Sequence, residues 1–163
     1  MGFESFRVEL GGGPASFSQA EGAVRRLPHA RPDRESVASR GSCYSTVEDG
    51  SHVIEVEVAE APVRVSCRFT LSHPHSIGPA FLSLVRQLQV TLGMDARICD
   101  DTRPASNTSF PAARFSEFAG VVTDAIAVRR AEWAAQFGGE TFPATTAQVY
   151  EKFILPACVP VLG

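Results

Sequence analysis

The chain predicts an α+β domain: an antiparallel sheet with helices packed on one face. Three observations carry that prediction. Between His52 and Leu71, apolar and polar residues alternate in two runs. Ile54, Val56 and Val58 alternate with Glu55 and Glu57, and Val63, Val65, Cys67, Phe69 and Leu71 alternate with Arg64, Ser66, Arg68 and Thr70. That is the two-residue period of strands with one buried and one wet face. Phe81, Leu84, Val85, Leu88 and Leu92 recur instead at helical spacing. The chain has 163 residues, 44% of them hydrophobic, which suffices for one well-buried core and is too short for two.

Taken in order, Phe6, Val8 and Leu10 mark a strand over 3–10, broken by Gly11-Gly12-Gly13-Pro14. A helix follows, with Ser18 and Glu21 spaced as a capping box and Pro28 as its stop. Residues 28–42 are rich in Arg, Ser and Pro and read as a surface loop. Residues 43–47 form a further strand, joined through an Asp49-Gly50 turn to the central hairpin. Pairing Val58 with Val63 sets Val56 opposite Val65, Ile54 opposite Cys67 and Glu57 opposite Arg64. The next helix starts near Ser76, carries Pro79 in its first turn and ends at Gly93. A short strand over 94–101 closes with Asp100-Asp101, and 102–111 is a polar loop. A long helix over 112–137 presents Phe115, Phe118, Val122, Ile126, Arg129, Trp133 and Phe137 along one face, ending at Gly138-Gly139. A last helix begins at Thr145 or Thr146 and stops at Pro156.

Without the strand at 43–47, the first elements read β-α-β-β-α-β, a ferredoxin-like core. The expectation is one α+β domain over 1–163, with a sheet core in 1–101 and a C-terminal helical appendage of two helices in 112–155. In this reading the first strand lies parallel beside the strand at 63–71. The Gly11–Pro14 and His73–His75 loops then leave the sheet at one edge, near His52. Gly12, Gly13, His52, His73 and His75 would make an anion site between two helix N-termini. The plainer alternative is that Gly and Pro simply make turns and the histidines sit exposed in loops.

Other chemistry finds little support. The Gly run lacks the Lys-Ser/Thr ending of a P-loop and the spacing of a dinucleotide fingerprint. His73-Pro74-His75 lacks a nearby third metal ligand, and Asp100-Asp101 are placed at the opposite sheet end, as turn formers. No nucleophile elbow occurs. Cys43, Cys67, Cys99 and Cys158 lack zinc spacing, and Cys67 and Cys99 read as small buried hydrophobes. The reading therefore names no catalytic residue, metal or cofactor.

Net charge is −3, which speaks against nucleic acid, and no apolar run is long enough to span a membrane. The N-terminus lacks a signal-peptide pattern, so a cytoplasmic location is expected. Lys152 is the sole lysine among many arginines, a usage that fits a GC-rich bacterial genome. The remaining candidates form a protein-binding set. Glu55, Glu57, Arg64 and Arg68 lie on the wet sheet face, and Arg130 and Trp133 lie on the long helix.

Phe115-x-x-Phe118, Arg129-Arg130-x-x-Trp133 with Phe137-Gly138-Gly139, and Tyr150-x-x-Phe153-Ile154 give the C-terminal third a pattern. It resembles small bacterial immunity-type proteins, α+β domains that neutralise a cognate toxin. The resemblance implies a tight protein partner and no chemistry, and it transfers no functional residue. The expected function is thus a non-enzymatic protein-binding module of a bacterial cytoplasm. The alternative is a small-molecule or anion-binding sensor or enzyme using the Gly11–Pro14 and His73–His75 loops.

Overall fold

The computed structural model describes residues 5–32, 42–46, 52–71, 73–99 and 108–137, with backbone alone for 31–32, 42–46 and 137. Along the chain run β1 (Ser5–Gly11), α1 (Phe17–Arg25), β2 (Ala30–Pro32), β3 (Ser42–Thr46), β4 (Val53–Ala59) and β5 (Arg64–Thr70). Then come α2 (Ile77–Leu92), β6 (Asp95–Cys99), a 3-10 turn at Ala112–Arg114 and α3 (Phe115–Phe137). The described strands form one sheet in the order β2-β3-β4-β5-β1-β6, with every neighbouring pair antiparallel. The architecture is α+β.

Alternation places Phe6, Val8 and Leu10 of β1, Ile54, Val56 and Val58 of β4, and Val65, Cys67 and Phe69 of β5 on the buried face. Phe6, Phe69 and Phe81 pack there with ring centroids 4.8–6.2 Å apart. Ala20, Ala23 and Val24 of α1, the Phe81–Leu92 stripe of α2, and Phe118, Val122 and Ile126 of α3 complete the same core. The long helix therefore shares the core of the sheet.

Three expectations about the sheet are corrected. The central hairpin forms, but two residues out of the expected register: Val58 faces Val65, Val56 faces Cys67, and Glu55 faces Arg68. An even slip leaves every side chain on its own face, so the alternating pattern cannot distinguish the two pairings. The turn over Glu60–Val63 decides it, with Ala61 in the left-handed region at φ 68°. Second, β1 lies beside β5 antiparallel, not parallel, with Ser5 opposite Thr70 and Gly11 opposite Arg64. Third, part of the expected 28–42 loop is strand, because Ala30–Pro32 pair with Cys43–Ser45.

Helix ends follow local chemistry. The capping box of α1 is Ser16/Gln19, not Ser18/Glu21. The Gln19 amide donates to Ser16 Oγ at 3.2 Å, and the Ser16 amide donates to Gln19 Oε1 at 2.9 Å. Gly93 caps α2 at φ 61°, as expected. Beyond α2, the side chain of buried Gln89 donates to the Phe110 carbonyl at 2.7 Å, and Phe110 bridges Ala96 through backbone bonds of 2.8 and 2.9 Å. The Asp49-Gly50 turn, Asp100-Asp101, Gly138-Gly139, the helix from Thr145, Tyr150, Phe153, Ile154 and Cys158 lie outside the described residues.

Candidate functional site

The antiparallel β1–β5 pairing divides the predicted anion site. Gly11 meets the start of β5, whereas the histidines follow its end, so Gly12 and Gly13 lie at one end of the sheet and His52, His73 and His75 at the other. The glycines have a packing reason instead. A Cβ on Gly13 would come within 2.6 Å of the Gly93 carbonyl oxygen, so the loop after β1 docks closely on the end of α2. The end of β6 at Cys99 faces Arg7, at the histidine end, which reverses the expected end for the strand leading to Asp100.

The three histidines are not alike. His75 is exposed, but His73 is fully buried and His52 is 5% exposed. The Val53 amide donates to His73 Nε2 at 3.1 Å. A neutral ring therefore carries its proton on Nδ1, which lies 2.9 Å from both the Thr70 carbonyl oxygen and Thr70 Oγ1. His52 Nε2 meets Ser76 Oγ, the residue preceding α2, at 2.7 Å. Burial holds His73 down to about 4; the Thr70 carbonyl opposes this, and His52 and Arg130 add to it. His52 and His73 thus tie the β5–α2 turn to the start of β4. Period-two and period-3.6 patterns carry no signal for such a role.

That turn forms one wall of a groove between α2 and α3, with a volume of about 460 Å³. Its apolar lining includes Leu71, Leu82, Ile126 and Trp133, and its polar lining includes His75 and Arg130. Arg130 and Trp133 of one predicted set are thus brought together with His75 of the other. Arg130 Nη2 donates to the Pro74 carbonyl at 3.3 Å, and its Nε is buried without a hydrogen-bond partner among the described residues. Burial pulls its guanidinium below the ordinary arginine value. Leu71 and Ile126 read as core residues in the sequence, and Leu82 falls outside the helical stripe. The legible signal was the small stripe Ala127, Ala131 and Ala134 on α3, facing Gly78 and Pro79 of α2, which leaves space between the helices.

The remaining predicted residues lie together on the opposite sheet face. Glu55 and Arg68 form a cross-strand ion pair between β4 and β5, and Arg97 of β6 donates to Glu9 of β1 at 2.6 Å. The Glu9 carboxylate raises Arg97 through that hydrogen bond. Glu57 is exposed opposite Ser66, and half-buried Arg64 pairs with Ala59, not with Glu57 as expected. Cys67 is buried as expected, whereas Cys99 is only half-buried.

Among the described residues, no group of three or more His, Cys, Asp or Glu is placed to hold a metal ion, and no helix is long and apolar enough to cross a membrane. No protein-family model, curated protein or solved structure matches the chain.

Proposed function

We propose that this protein is a non-enzymatic binding module of the bacterial cytoplasm that recognises another protein through the outer face of its sheet. Glu55, Glu57, Arg64 and Arg68 carry the recognition, and the function is that of an immunity-type inhibitor of a cognate toxin. The observation that carries this reading is the charged surface on four adjacent strands, β4-β5-β1-β6, whose opposite face holds the helices. Ion pairs Glu55–Arg68 and Glu9–Arg97 hold its charges in set positions, an arrangement suited to electrostatic selection of a partner. The same strand order, with α1 and α2 as the two crossovers, supports reading the core as ferredoxin-like, with β3 and β2 added at the β4 edge.

The test compares the wild-type chain with the double variant Glu55→Lys/Glu57→Lys as baits in native lysate. Binding of any captured partner is then measured in purified form. A stoichiometric partner that binds the wild type and loses at least tenfold in affinity for the variant supports the reading. A partner indifferent to the variant moves recognition off this face, and no partner for the wild type removes the reading.

A further inference from the structure

We propose that the groove between α2 and α3 is a ligand site for a small carboxylate with a single apolar tail, its carboxylate on Arg130 and its tail along Leu82, Ile126 and Trp133. The site is separate from the sheet face discussed above. Its volume of about 460 Å³ falls within the range of small-molecule pockets. Its polarity is one-sided: among the described residues the lining holds Arg130, His75 and Thr123 beside apolar side chains, and no Asp or Glu.

Arg130 identifies the ligand's charge. Its position on α3 buries Nε without a hydrogen-bond partner among the described residues, and its Nη2 donates to a neutral acceptor, the Pro74 carbonyl. Among the described residues, no carboxylate forms an ion pair with it. A partly buried guanidinium without a counter-charge loses hydration, and a ligand carboxylate offsets that cost. The planar guanidinium also matches a carboxylate in geometry. The first turn of α2, at Gly78 and Pro79, borders the same space and adds the positive end of a 16-residue helix. The apolar remainder excludes a small hydrophilic anion as the preferred occupant and requires a tail.

Trp133 is the only tryptophan of the chain, so its fluorescence reports occupancy directly. The probes are decanoate and decanol, both below their aggregation concentrations, titrated into the full chain. The expected result is a saturable change in Trp133 emission, with decanoate binding at least tenfold more tightly than decanol. Arg130→Met should abolish that preference while leaving decanol binding within twofold. Ala127→Phe, an exposed position whose new ring would fill the groove, should abolish both. Equal affinity for the two probes, no saturable response, or unchanged decanoate binding in Ala127→Phe would overturn the proposal. Thermal unfolding of each variant establishes that it is folded. If Arg130→Met is not, the probe comparison and Ala127→Phe decide alone.

Discussion

His73 accepts the backbone N–H of Val53 on Nε2 at 3.1 Å, across 20 residues of sequence. The bond joins the turn after β5 to the first residue of β4. It fixes the ring tautomer, since the same nitrogen cannot both accept that hydrogen and carry a proton of its own.

The contact predicts an acid-sensitive fold. His73 has its pKa lowered from 6.5 to about 4, so between those values the unfolded chain binds more protons than the folded one. Its contribution is complete above pH 6.5 and is lost as pH falls toward 4. The loss is on the order of 3 kcal/mol for a shift of this size. Urea unfolding at pH 7.5, 5.5 and 4 should show the decline, and His73→Phe should flatten it. An equal slope in both proteins would assign the acid sensitivity to other groups.

Replacing the same ring tests its structural weight. His73→Ala leaves the Val53 amide without its acceptor and opens a cavity in a fully buried position. The expected cost is about 2–4 kcal/mol at pH 7.5, read from the denaturation midpoint. The exposed neighbour provides the contrast. His75→Ala should change stability by less than about 0.5 kcal/mol.

The start of α1 supplies a local test. Ser16→Ala removes the side-chain acceptor for the Gln19 amide and should cost about 1 kcal/mol. Ser18→Ala, on an exposed position two residues further in, should fall within about 0.5 kcal/mol of wild type. Reversal of that order would return the cap to Ser18.

Gly13 and Gly93 test the packing account of the glycine run. Gly13→Ala places a methyl group within 2.6 Å of a backbone oxygen, which a flexible side chain cannot relieve. A loss of about 1–3 kcal/mol is expected in urea unfolding. An unchanged midpoint would show that the loop can move off α2.

On the sheet face, Glu55 and Arg68 are solvent-screened, so their pair should contribute little to the fold. A double-mutant cycle with Glu55→Ala and Arg68→Ala should give a coupling below about 1 kcal/mol that shrinks with added salt. A larger, salt-independent coupling would make the pair a structural element.

Backbone periodicity alone places the central strands and helices and assigns the faces they bury. The alternation in Ile54–Val58 and Val63–Leu71 and the Phe81–Leu92 stripe are local consequences of backbone period, and Gly93 marks its helix end through local φ alone. Whatever depends on distant chain segments emerges from packing. The hairpin register came out two residues from the expected one because an even slip preserves the faces, and the direction of β1 against β5 has no local signature. That direction separated Gly12 and Gly13 from the histidines. The contact of His73 with Val53 follows from β4 pairing with β5, and the meeting of His75, Arg130 and Trp133 along one groove from α2 and α3 packing side by side. Periodicity tells each helix which side to bury, but the space left between two buried sides belongs to neither sequence alone.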